Sequence, residues 1–137
     1  MKIVAVTPKE NDLKRLVKLL KKIYRCDVVA FASPFDADNY IKENRVNVLF
    51  AEIEMNGMLG TALLEKARAE QESIKVILFS DSIDFAPEAF NYHAWYFFVK
   101  PFTIKNLAFG LEDTEYTCYR KYTLKEKIKK LINTISN

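Results

Sequence analysis

The stretch VNVLFAEIEMNGMLG, residues 46–60, contains the pattern on which the fold depends. Its first six residues are almost all apolar, as in a strand of a parallel sheet that helices cover on both faces. The strand is followed by Glu52, and a short loop then leads into a helical pattern over residues 60–70. A buried strand followed by an amphipathic helix is the repeating unit of an α/β domain.

The same alternation extends along the chain in both directions. Apolar runs predict four more strands, and helical spacing of apolar residues predicts four more helices. The strands are expected at residues 2–6, 27–32, 75–80 and 95–99, and the helices at 13–23, 36–43, 85–92 and after Pro101. Asn11 or Asp12 is the predicted cap of the first helix. Right-handed crossovers between such units predict an open, doubly wound sheet.

Length and composition agree with a single well-packed domain. The chain has 137 residues, which is a common domain size, and half of them are hydrophobic, which argues against disorder. No apolar run is long enough to span a bilayer and no signal peptide precedes the first strand, so we expect a cytoplasmic protein without membrane contact. Cys26 and Cys118 lack CxxC spacing and predict neither a metal site nor a redox pair.

Polar residues follow several of the predicted strands. In an open α/β sheet the functional crevice lies at the carboxyl ends of the strands. The candidate site residues are therefore Thr7, Pro8, Glu52, Ser80, Asp81 and Lys100.

Two segments resemble a known family. VLFAEIEMNGMLG at residues 48–60 and FFVKPF at 97–102 are similar to the receiver domain of bacterial two-component response regulators. AFNYHA at 89–94 resembles the fourth helix of receivers that are attached to DNA-binding output domains. The resemblance covers residues 1–115 and implies a flavodoxin-like, five-stranded parallel sheet with strand order 2-1-3-4-5. It also implies a cis peptide bond between Lys100 and Pro101.

The resemblance also implies a role for each residue at the strand ends. A working receiver holds Mg²⁺ with two acids after the first strand and an aspartate after the third, and this aspartate accepts a phosphoryl group. A hydroxyl and a lysine grip the phosphoryl oxygens, and a ring on the fifth strand reorients. These functions fall on Thr7 and Pro8 (acid pair), Glu52 (phosphoacceptor), Ser80 and Lys100 (phosphate grip) and Phe97 (ring).

Charge at these positions argues against metal-dependent chemistry. Neither Thr7 nor Pro8 supplies a carboxylate, so Glu52 alone opposes Lys100. Mg²⁺ requires near-octahedral oxygen ligation with carboxylate support. Asp81 and Glu54 could restore some negative charge, but neither stands at a ligand position of the family. We therefore expect a degenerate receiver that binds no metal or other cofactor, is not phosphorylated on an aspartate and is not an enzyme.

Glu52 is open to three interpretations at this point. Its carboxylate could reach Lys100 or Ser80 and so imitate the phosphorylated state. It could instead stand in for an unphosphorylated aspartate, or form an ion pair with Lys100 that is only structural.

A protein partner is the predicted ligand. In receivers the face made of the fourth helix, fifth strand and fifth helix is the usual partner or dimer surface, and aromatic residues are enriched at interfaces. Tyr92, Trp95 and Tyr96 are the predicted interface residues here, for a pathway partner or a second copy of the chain.

Residues 116–137 lie beyond the receiver pattern and form a basic tail. An apolar stripe at helical spacing predicts an amphipathic helix that packs on the domain or on a second chain. The stripe consists of Leu124, Ile128, Leu131, Ile132 and Ile135. The alternative function is a DNA-binding transcriptional regulator, or a fragment of one, in which the receiver-like domain dimerises and the basic tail contacts nucleic acid.

Overall fold

The computed structural model describes residues 1–112 and 119–120. Seven strands lie within them: β1 (Lys2–Val6), β2 (Tyr24–Arg25), β3 (Asp27–Phe31), β4 (Val48–Glu52), β5 (Lys75–Ser80), β6 (Tyr96–Val99) and β7 (Tyr119–Arg120). Five of them form a parallel sheet in the order β3-β1-β4-β5-β6. Counted along the chain within this sheet, the order is 2-1-3-4-5, which confirms the predicted topology.

A helix follows each strand of the five-stranded sheet, and the short β2 lies between α1 and β3. The helices are α1 (Glu10–Ile23), α2 (Pro34–Glu43), α3 (Gly60–Glu70), α4 (Ala86–Asn91) and α5 (Ile104–Glu112), with a 3₁₀ turn at Ile83–Phe85 before α4. The prediction of Asn11 or Asp12 as the cap of α1 is wrong. Lys9 holds the N-cap position without a capping bond from its side chain, because the chain turns into the helix almost directly after β1. Asp12 therefore lies in the first turn of α1.

Two apolar cores cover the two faces of the sheet. Side chains alternate along each strand, so Val4 and Val6 face α2 and α3 while Ile3 and Ala5 face α1. A ring cluster of Phe79, Phe98 and Phe102 fills the second core under α5. Because both faces of the sheet are covered, a functional site is expected at the polar ends of the strands.

The predicted C-terminal helix lies almost wholly outside the described residues. Only Tyr119 and Arg120 of residues 116–137 are described, and they form β7, which pairs in antiparallel fashion with β2. The predicted domain boundary at residue 115 also falls outside the described part.

No helix in the described part of the chain has the length and apolar character needed to cross a bilayer.

Gly60 allows α3 to begin against the end of β4. Its backbone N–H donates to the carbonyl of Ile53 at 2.8 Å. A Cβ at this position would lie 2.3 Å from the carbonyl oxygen of Glu52, which is backbone and cannot swing aside. The close approach of Gly60 to the Glu52 carbonyl therefore helps to fix the position of the backbone that carries the Glu52 side chain.

We predict that Gly60→Ala destabilises the domain, by about 1–3 kcal/mol as for other overpacked sites. Helix propensity alone would make the alanine variant more stable by about 1 kcal/mol. The sign of the change in unfolding free energy therefore distinguishes the close approach from helix propensity. Urea unfolding measures this change, and Ala69→Gly, at an exposed position of the same helix, calibrates the propensity. A Gly60→Ala protein as stable as the wild type would show that the close approach is not required.

Candidate functional site

The carboxyl ends of four strands bring the predicted site residues together. Thr7 follows β1, Glu52 ends β4, Ser80 ends β5 and Lys100 follows β6. Thr7, Glu52 and Ser80 are buried. Buried polar groups are costly unless they are bonded, so their partners determine what the site can do.

Both carboxylate oxygens of Glu52 are engaged. Oε1 accepts a hydrogen bond from the Thr7 hydroxyl at 2.6 Å, and Oε2 accepts one from Lys100 Nζ at 2.9 Å. Glu52 is only 1% exposed. Ser80 is not a partner of Glu52; its hydroxyl accepts the backbone N–H of Ser82 at 3.2 Å.

Lys100 contacts three carboxylates. Its Nζ lies 2.8 Å from Asp12 Oδ2, 2.9 Å from Glu52 Oε2 and 3.3 Å from Asp81 Oδ1. Burial would lower the pKa of Lys100, but the bonds to Asp12 and Glu52 outweigh it and raise the pKa above its ordinary value. A pKa that is higher in the folded than in the unfolded state stabilises the folded domain. This stabilisation is fully present below the unfolded-state pKa and is lost only as the pH rises through the folded-state pKa. Lys100 is therefore charged throughout the neutral range.

Lys9 closes a ring of alternating charges, which we call the charge ring. Its Nζ lies 2.9 Å from Asp81 Oδ2 and 3.4 Å from Glu52 Oε2. The charge ring consists of Lys9, Glu52, Lys100 and Asp81, each in contact with the next. With Asp12, three carboxylates face two ammonium groups, and a single formal negative charge remains.

The contributions of Lys9 and Asp12 to the site were not predicted from the sequence. Asp12 was considered only as a helix cap, and Lys9 was given no function. The expected balance of one carboxylate against one lysine is therefore wrong, since each lysine contacts more than one acid. One signal was available: Lys9 follows β1 by three residues and so lies at the edge of the sheet that carries the site.

A cavity of about 440 Å³ opens beside the charge ring. Charged and amide groups line one part of it, and apolar side chains line the other. Its lining residues are Pro8, Lys9, Glu52, Glu54, Met55, Asn56, Leu59 and Asp81. Thr7 is absent from this lining because its hydroxyl points to Glu52.

Comparison with known protein families gives a match to the response regulator receiver domain over residues 3–111. The chain belongs to this family.

Solved structures with the same fold agree with the family assignment. The response regulatory domain of protein mrkE from Klebsiella pneumoniae is 19% identical, with a TM-score of 0.74 over 82% of this chain and 93% of that one. A CheY-like receiver domain protein from Methanospirillum hungatei is 21% identical, with a TM-score of 0.72 over 94% and 97%. Chemotaxis protein CheY4 from Vibrio cholerae is 19% identical, with a TM-score of 0.72 over 81% and 95%. No curated protein sequence gave a significant match.

The family resemblance placed the reorienting ring of the receiver at Phe97. Its side chain is 6% exposed and belongs to the core that contains Ala89 and Ala94. The Lys100–Pro101 peptide bond is cis, as the resemblance implied.

The predicted aromatic surface of this receiver is only partly formed. Tyr92 and Trp95 are exposed at 36% and 37%, and the Trp95 ring lies 4.1 Å from Lys75 Nζ. Tyr96 is half-buried and packs against the core under α5, because neighbouring residues of a strand point to opposite faces. Ile83 and Phe90, which were not predicted as interface residues, are exposed at 65% and 51%.

We predict that Thr7→Val destabilises the receiver by about 1–3 kcal/mol, the usual cost of an unsatisfied buried polar group. Valine has nearly the same shape as threonine but cannot donate to Glu52 Oε1. Thr7→Ser keeps the hydroxyl and is the matched control. Unfolding in urea at neutral pH compares them, and equal stability of the valine and serine variants would contradict the assigned bond.

Proposed function

We propose that this receiver domain acts in two-component-type signal transduction by binding a protein partner, without metal-dependent phosphorylation at the phosphoacceptor position. The observation that carries the proposal is the state of Glu52, whose two oxygens are bonded to Thr7 and Lys100. A carboxylate that is buried and doubly bonded is a structural group. It is not an available nucleophile.

The residues at the strand ends do not fit a divalent cation. Mg²⁺ needs several oxygen ligands with carboxylate support, and Thr7 and Pro8 offer no carboxylate. The ammonium group of Lys9 already lies between the carboxylates of Glu52 and Asp81. Within residues 1–112 and 119–120, no group of three or more His, Cys, Asp or Glu side chains is placed to hold a metal ion.

Ser80 and Lys100, at the positions that would grip a phosphoryl group, make other contacts in this structure. Phosphoryl transfer depends on positioned groups that neutralise charge on the transferred oxygens. Here the Lys100 ammonium is shared among three carboxylates. The Ser80 hydroxyl bonds within its own loop. An incoming phosphoryl group would have to displace these bonds before the site could stabilise it.

With metal binding and phosphoryl transfer disfavoured, partner binding is the function that we propose for the domain. The bond between Glu52 and Lys100 is compatible with each of the three interpretations of Glu52, and in each of them it joins the ends of β4 and β6. The exposed apolar side chains near α4 form a surface for a protein partner or a second copy of the chain. They are Ile83, Phe90, Tyr92 and Trp95.

The alternative of a DNA-binding regulator depends on the basic tail at residues 116–137. Only Tyr119 and Arg120 of this tail are described, and no described residue favours nucleic acid over protein. Protein binding is therefore the function that we propose for the domain.

We predict that the chain forms no phosphoryl adduct when it is incubated with acetyl phosphate and Mg²⁺. Intact mass spectrometry at neutral pH measures the result, since aspartyl and glutamyl phosphates are labile in acid and base. A receiver that keeps its acid pair and aspartate is the positive control. A stoichiometric adduct on this chain would overturn the proposal, and peptide mapping would then locate the modified residue.

A further inference from the structure

We infer that the charge ring is an ionic latch that fixes the segment between β5 and α4, with Asp81 and Lys9 as its releasable half. The inference goes beyond the proposed function, because it concerns what determines the position of α4 whether or not a partner is bound.

Asp81 is the residue through which the charge ring controls this segment. It directly follows β5, and each of its carboxylate oxygens has a separate cation: Oδ2 contacts Lys9 at 2.9 Å and Oδ1 contacts Lys100 at 3.3 Å. A carboxylate held at both oxygens is fixed in orientation as well as in place. The hydrogen bond from Lys9 lowers the pKa of Asp81; burial opposes this effect, and the charge of Lys100 adds to it.

Short local bonds join the residues on either side of Asp81 and continue into the next turn. The backbone N–H of Ser82 donates to the Ser80 hydroxyl at 3.2 Å, and the Ser82 hydroxyl accepts the N–H of Asp84 at 3.1 Å. Asp84 lies in the 3₁₀ turn Ile83–Phe85, which runs directly into α4. A shift of Asp81 is therefore passed on to the start of α4.

Few apolar contacts hold α4 itself. The helix has six residues, and Ala89 is its only buried one. Its far end is bound to α3, because the Arg68 guanidinium donates to the carbonyls of Tyr92, at 2.7 Å, and His93. His93 has a φ of 62°, in the left-handed region that ends helices. Phe85 and Ala86 pack beside Ala89 against the core, Arg68 holds the far end of the segment, and the charge ring is the ionic contact at its start.

The two halves of the charge ring differ in burial. The side chains of Glu52 and Lys100 are 2% and 7% exposed, whereas those of Lys9 and Asp81 are 52% and 64% exposed. Exposed ion pairs are weak and are screened by salt, but buried ones are screened much less. The buried ion pair between Glu52 and Lys100 therefore stays formed, whereas the exposed ion pair between Lys9 and Asp81 can break. Opening releases the exposed side chains of Ile83 and Phe90 from their fixed position.

Hydrogen–deuterium exchange of the full chain tests the latch. We expect Asp81→Asn and Lys9→Met to speed exchange in peptides covering residues 82–92 by roughly 2–5-fold at low salt, the factor that corresponds to loss of an exposed ion pair. Peptides from β1, β4 and α1 should exchange as in the wild type. High salt should speed exchange of residues 82–92 in the wild type and remove its difference from both variants.

Lys14→Met is the matched control, because Lys14 is an exposed lysine of α1 whose ion pair, with Glu10 at 3.1 Å, lies outside the charge ring. It should leave residues 82–92 unchanged. The latch is refuted if both ring variants match the wild type at low salt. Faster exchange in every peptide would also refute it, since the charge ring would then stabilise the whole domain. Neither readout involves phosphorylation or a partner, so this inference and the proposed function fail independently.

Discussion

The buried carboxylate of Glu52 is the constraint on which the site depends. A charged group removed from water is strongly unfavourable unless its hydrogen-bonding capacity is met. Thr7 meets it from the end of β1, and Lys100 meets it from the end of β6. Because both bonds are needed, the ends of three strands are held at fixed separations. The more exposed contacts of Lys9 and Asp81 are built around this fixed centre.

The same bonds connect the fold to its proposed function. In a receiver that uses metal, the carboxylates at the strand ends leave a deficit of positive charge that a divalent cation fills. Here Lys9 and Lys100 bring that positive charge as part of the chain. We therefore propose that the site needs no external ion, and that the surrounding fold serves as a scaffold for α4 and the exposed side chains beside it. Partner binding needs no more than this.

The sequence predicted the fold well because the fold depends on local patterns. Apolar runs located all five strands of the main sheet, and β1 and β5 were placed to the residue. The short strands β2 and β7 were not predicted, since two residues have no periodicity to detect. Tyr96 was predicted as an interface residue but packs against the core. Which face of a strand a residue occupies depends on the register of the strand, and a continuous run of aromatic residues has no polar–apolar alternation that would indicate it.

The predicted strand ends and the family resemblance located several residues of the site, but not all of their contacts. Glu52, Ser80 and Lys100 lie together at the strand ends as expected. The contacts of Lys9 with Asp81 and of Asp12 with Lys100 join residues that are 72 and 88 positions apart in the chain. Long side chains reach such partners through several rotatable bonds, so spacing along the sequence does not reveal the pairing.

Titration of the isotopically labelled protein with Mg²⁺, followed by NMR, tests most directly the claim that the chain supplies its own cations. The account predicts no saturable shift centred on the amides of Thr7, Glu52 and Asp81, and no selective broadening of these signals by Mn²⁺. A saturable response confined to these strand ends would show that a divalent cation binds among Glu52, Asp12 and Asp81 despite the two lysines, and would contradict it.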